Sequence, residues 1–115
     1  MSGKLVIHLF HADDSTIGTG AHLCERVCQV QTECGVALEV YVFGPAEKAL
    51  ADPARTAFRD ALARVTAAGV PVHLCRSIAE DLGMADAFTR LGFTLEYARD
   101  AFIRYTREGA TVISF

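Results

Sequence analysis

The chain has 115 residues, 51% of them apolar and 22% charged, with 11 basic against 14 acidic side chains and a formal net charge of −3. That length suits one domain around one core. The lack of a basic excess argues against nucleic acid or an anionic membrane surface as a partner, and no apolar run approaches the ~20 residues of a membrane-spanning helix.

The opening residues, Met1, Ser2, Gly3 and Lys4, run straight into a strand-like stretch without a signal-peptide pattern, so a cytoplasmic protein is expected. Residues 4–10 read as the first strand. They are β-branched and almost continuously apolar, the habit of a parallel strand covered on both faces. The following turn, 11–16, gathers His11, Asp13, Asp14, Ser15 and Thr16. A helix is expected over about 20–34, with Leu23, Val27, Val30 and Cys34 on one stripe. Gly18 and Gly20 before it lack the third glycine of a dinucleotide fingerprint and match no P-loop, so they read as a turn. Gly35 stops this helix.

Residues 36–43, rich in β-branched and aromatic types, form the second strand, which Gly44 and Pro45 break. A short helical turn over 46–50 precedes Asp52 and Pro53, an N-cap carboxylate with proline at the first helical position. Ala54, Phe58, Ala61, Leu62 and Val65 mark the apolar face of the helix that follows, which ends at Gly69. The third strand, 70–75, carries Pro71 at its start, where a missing donor costs least. Short helices over 77–82 and 85–91 close at Gly83 and Gly92. Residues 93–96 make a brief fourth strand, 97–108 a helix with Ala98, Ala101, Phe102 and Tyr105 on one face, and 111–115 a fifth strand.

Strand and helix therefore alternate from end to end without repeats or a linker. The expected fold is α/β: a single domain with a five-stranded parallel sheet, helices on both faces and right-handed crossovers.

In such a sheet the loops that follow the strands collect along one edge. Here those are 11–16, 44–47, 75–77 and 96–98, which draw a thiol, an arginine, two aspartates, a histidine and a tyrosine toward one another. Cys75 ends the third strand and opens a helix, where the positive end of the helix favours the thiolate. The plainer reading is a small buried packing residue. Arg76 either supports the thiolate or points into solvent.

Of the other three cysteines, Cys24 and Cys28 stand one turn apart on a helix, which does not favour a disulfide. Without a secretion signal all four cysteines are expected as reduced thiols. A zinc site built on Cys24 and Cys28 with His22 or Cys34 lacks four suitably spaced ligands. Cys24, Cys28 and Cys34 are instead expected to pack the first helix. No CxxC motif is present, which excludes a thioredoxin-type oxidoreductase. His73 shares a strand face with Cys75 and is expected to be a satisfied histidine, with a subunit contact or orientation of the site as other readings.

Several segments together resemble the DsrE/DsrF-like sulfur-relay family, which includes TusD-type subunits. They are KLVIHL at 4–9, VYVFGP at 40–45, VPVHLC at 70–75 with IAEDLG at 78–83, GFTLE at 92–96 and GATVISF at 109–115. The resemblance spans nearly the whole chain and implies a three-layer α/β/α sandwich that assembles as a homotrimer or homohexamer. It also implies that Cys75 accepts sulfane sulfur as a persulfide and passes it to a partner protein, with sulfur donor and acceptor proteins as partners. Such a carrier needs no metal and no organic cofactor. The chain departs from the family pattern in Arg76 after the cysteine and in the three cysteines of the first helix.

The leading expectation is a small sulfur carrier or sulfurtransferase subunit with Cys75 as its catalytic residue. Its rival is a non-catalytic oligomeric binding or assembly module in which Cys75 only packs. Tyr41, Phe43, Phe93 and Phe102 are the aromatic residues expected to supply an apolar patch between subunits.

Overall fold

A computed structural model of the chain describes residues 3–115; the lead-in Met1 and Ser2 lies outside the described residues. The strands are β1 (Gly3–Leu9), β2 (Val36–Val42), β3 (Val72–Leu74), β4 (Thr94–Leu95) and β5 (Thr111–Ser114). The helices are α1 (Ala21–Val30), α2 (Pro45–Ala51), α3 (Thr56–Ala67), α4 (Arg76–Asp81), α5 (Ala85–Arg90) and α6 (Ala98–Glu108). All strand pairings are parallel, in the order β4-β3-β2-β1-β5. This is the expected α/β architecture, a sheet between two helical layers.

The pleat sends alternate residues to opposite layers. Ile7, Leu9, Val40, Val42, Val72 and Leu74 face the larger core, which α1, α2, α3 and α5 cover. Val6 and Tyr41 face the other side with Cys75, where α6 closes the layer through Ala101 and Tyr105. Strands apolar on both faces follow directly from this double covering. At about 25 cal/mol per Å² of apolar surface, these two cores supply the main driving force for the fold.

The strand order reverses at β1. The crevice this creates, the usual ligand position in an open α/β sheet, lies between the tips of β1 and β5. Here the chain closes it with its own groups. The Phe115 carbonyl accepts from the N–H groups of Phe10 at 2.8 Å and His11 at 3.2 Å. Gly20 lies against the same place: a Cβ there would come 2.8 Å from Leu9 Cδ2. Gly20 therefore packs closely against Leu9 and Phe115 at this point. Cys75 stands two strands away from this point, past the end of β3.

The first helix differs from the expectation. Ser15–Gly20 forms a π-helical turn, and α1 ends at Val30, four residues short of Cys34. Residues 31–35 form turns closed by Gly35 at φ +67°. The stripe breaks as a result: Val30 is 44% exposed and Cys34 is exposed, while the buried positions of α1 are Ala21 and Cys24. A period of 3.6 holds only while the chain remains helical, and here it stops earlier.

The aromatic residues expected at the surface are also placed differently. Tyr41 and Phe93 are buried, and Phe43 and Phe102 pack against the smaller core. The exposed large apolar side chains include Tyr97, Ile103 on α6, and Val112 and Ile113 on the edge strand β5.

Candidate functional site

Val72 and Leu74 face the larger core, so the pleat turns His73 and Cys75 toward α6. Cys75 has left the strand. It is the N-cap residue of α4, with extended backbone (φ −65°, ψ 120°), and its carbonyl receives the first helical bond, from Ala79 at 3.1 Å. Its main-chain N–H is shared between the Val42 carbonyl at 3.3 Å and Glu47 Oε1 at 3.0 Å. The residue is only 4% exposed. Access of a partner to its sulfur therefore requires local opening over the end of β3.

Glu47 reaches Cys75 because of the turn before it. Gly44 takes φ +68°, and a Cβ there would meet the Phe10 ring at 2.5 Å. Only glycine fits such a conformation at such close quarters. Pro45 then starts α2, and the Ala46 N–H donates to the Phe10 carbonyl at 2.8 Å. One turn of helix carries Glu47 inward, where it is 0% exposed. Burial pushes its carboxyl up to about 8, against the smaller downward pull of the Cys75 N–H. Its second oxygen, Oε2, is buried without a partner among the described residues.

Tyr41 completes the immediate surroundings. Its hydroxyl donates to the Glu96 carbonyl at 2.7 Å. Burial raises its pKa first, and the neighbouring Cys75 and Glu47 add to that. A neutral phenol, a buried carboxyl and a thiol thus lie together at the tips of β2 and β3. A hollow of about 390 Å³ opens beside them between α2 and α4, lined by Gly44, Pro45, Lys48, Ile78, Asp81 and Leu82.

Farther along the same sheet face lies an ionic cluster. Arg104 of α6 bonds Glu39 Oε2 at 2.6 Å and Glu96 Oε1 at 2.8 Å. Tyr105 donates its hydroxyl to Glu39, and Lys4 Nζ donates to Glu39 at 2.9 Å and also to Glu108. Burial works against the Glu39 charge, but the bonds from Arg104, Tyr105 and Lys4 overcome it and hold the carboxyl at about 2. Glu96 is also lowered, chiefly by its bond to Arg104. His73 Nδ1 pairs with Glu96 Oε1 at 2.8 Å, the satisfied histidine expected from the sequence.

Glu39, His73 and Glu96 place three donor atoms within 4.8 Å of one another, as a metal site would need. The guanidinium of Arg104 already holds two of these carboxylates, so the arrangement is that of a compensated ion-pair network. Cys24, Cys28 and Cys34 join no such group among the described residues. Cys24 is fully buried and its thiol is pushed up to about 12 by that burial, Cys28 is half-buried, and Cys34 is exposed. Packing therefore describes Cys24 and Cys28. Cys34 departs from the expectation because α1 ends before it.

No family model matches the chain, and no curated protein matches it in sequence. Solved structures do match its fold. BT1422 from Bacteroides thetaiotaomicron, a conserved protein of unknown function, superposes with a TM-score of 0.82 at 19% identity, covering 97% of this chain and 94% of that one. MTH1491 from Methanobacterium thermoautotrophicum, also of unknown function, gives 0.74 at 17%, over 99% and 100%. The ychN protein from E. coli gives 0.67 at 16%, over 100% of both chains. The chain shares its fold with these three proteins. At these identities the likeness extends to the fold alone.

Within this fold the loops expected to converge only partly do so. The Cys75 and 44–47 segments meet through Glu47, and the Glu96 carbonyl meets Tyr41. Arg76 is exposed and donates to the Leu95 carbonyl at 3.3 Å, so it turns along the surface toward β4. Asp13 caps its own turn by accepting from the Thr16 N–H at 3.0 Å. In the sequence Glu47 was visible only as a charge in a strand-end loop. Its neighbours Ala46, Ala49 and Leu50 prove to be buried with it, which only the structure shows.

Proposed function

We propose that the protein is a sulfur-relay carrier of the DsrE/DsrF-like kind, with Cys75 as the residue that holds sulfane sulfur as a persulfide. The observation that carries this reading is the place of Cys75 past the end of the interior strand β3, at the N-cap of α4, with Glu47 and Tyr41 against it. In the reaction the Cys75 thiolate attacks the outer sulfur of a donor persulfide. A new S–S bond forms on Cys75 as the donor's S–S bond breaks. The donor departs as a thiolate and takes up the proton that Cys75 released. The reverse exchange, with an acceptor thiol, unloads the carrier. No metal or organic cofactor enters these steps.

Assembly as a homotrimer or homohexamer belongs to the same reading. Support for it comes from the edge strand β5, which among the described residues pairs only with β1 and exposes Val112 and Ile113. An exposed apolar edge of this kind is a template for pairing with another chain.

A second reading draws on the burial of Cys75, which is as closed as the residues around it. In that reading the chain is a non-catalytic assembly module and the thiol is packing. Incubation with polysulfide or a persulfidated donor, followed by peptide mapping, separates the two. The relay reading expects an adduct of about 32 Da at Cys75, one sulfur per thiolate exchanged, which is lost in Cys75→Ser. A folded protein that takes up no sulfur at Cys75, or takes it only at Cys24, Cys28 or Cys34, leaves the module reading standing.

A further inference from the structure

Glu47 is a fully buried acid that the ionic network does not use. It is 0% exposed, Oε1 accepts from the Cys75 N–H at 3.0 Å, and Oε2 has no partner. An ionised carboxylate left in this state would forfeit its hydration for a single hydrogen bond, so the neutral form is favoured. Since Oε1 is engaged as an acceptor, the proton resides on Oε2.

The groups around it agree. Glu47 meets Cys75 through the main-chain N–H at the head of α4, and the Tyr41 hydroxyl on β2 is the titratable group that both the Cys75 thiol and Glu47 act on. The buried residues of α3 are Phe58, Ala61, Leu62 and Val65, none of which ionises. Arg55, in the turn between α2 and α3, is drawn away to the Ala12 carbonyl at 2.7 Å. Lys48 and Asp81 are exposed at the rim of the neighbouring hollow. Among the described residues no cation is positioned to hold Glu47 as an anion.

We propose that Glu47 is a positioning residue of the Cys75 site, a neutral acid that fixes the Cys75 main chain through Oε1 and reserves the Oε2 proton for an anionic sulfur on Cys75. The inference deepens the relay reading and rests on it for the identity of that anion: the terminal sulfur of a persulfide lies about 2 Å beyond Sγ, which extends its reach into the site. While Glu47 stays neutral, the negative charge of the site belongs to sulfur alone. When it ionises, a like charge appears beside the thiol and disfavours the thiolate. Burial holds that ionisation at about 8.

The test compares wild type with Glu47→Gln, which keeps the Oε1 acceptor and the shape but cannot ionise. Alkylation of Cys75 by iodoacetamide is followed by peptide mapping from pH 6 to 10. The wild-type rate should flatten above about pH 8, while Glu47→Gln follows a single titration and reacts about threefold faster or more at pH 9. Superimposable profiles overturn the inference, as does a Cys75 inert in both folded proteins. Should Glu47→Gln not fold, infrared spectroscopy of the native protein decides the matter. A protonated carboxyl band present at pH 6 and lost near pH 8 upholds the inference, and its absence at pH 6 overturns it. Sulfur loading is scored separately: loading with superimposable profiles refutes only the role of Glu47, whereas divergent profiles without loading refute only the relay.

Discussion

Replacing Arg104 by methionine removes the guanidinium from Glu39 and Glu96 but keeps an apolar stem over the Tyr105 ring, above which the guanidinium now sits at 4.8 Å. The Glu39 carboxyl is held at about 2 instead of 4.5. At ~1.36 kcal/mol per unit, that depression corresponds to about 3 kcal/mol of stability at neutral pH. Arg104 is the foremost of three donors, but Lys4 and Tyr105 remain in the variant, and the Arg104 side chain is itself 32% exposed. Allowing for both, Arg104→Met should cost about 2 kcal/mol at pH 7. The pH dependence follows from the direction of the shift. A carboxyl lowered by folding contributes fully above 4.5 and loses its contribution as pH falls toward about 2. The cost of Arg104→Met should therefore shrink at pH 3. Urea unfolding followed by circular dichroism at pH 7 and pH 3 measures both values. A loss below about 0.5 kcal/mol at pH 7, the range of an inert surface change, would refute the reasoning. So would a loss equally large at pH 3.

Two further outcomes are expected. Cys24→Ser places a hydroxyl where a fully buried thiol now packs and should cost about 1–2 kcal/mol, whereas Cys34→Ser at an exposed turn should stay within about 0.5 kcal/mol; thermal unfolding of both variants, with equal losses as the contrary result, checks this. Light scattering at micromolar concentration should give three or six times the 12.4 kDa chain mass, and a monomer throughout would remove the oligomer proposal.

The alternation of strand and helix, and with it the parallel sheet, was readable from local signals. Continuous apolar runs at 4–10 and 36–43, helix stops at Gly69 and Gly109, and the Asp52–Pro53 start act over one or two turns of chain. The same signals put Cys75 at the end of the third strand and made His73 its neighbour on one face. Local patterning could not say where α1 ends, because residues 31–34 are as compatible with a continued helix as with a turn, and this misplaced Cys34. Nor could it reveal Glu47. Its bond to Cys75 joins residues 28 apart in the chain, and the Arg104 bond to Glu39 joins residues 65 apart. Neither pair has a sequence period. Whether a glutamate at a strand end is a solvated charge or a buried neutral acid depends on what the fold stacks over it. Only the packed sheet, with α2 turned inward at Gly44 and α4 beginning at Cys75, determines that.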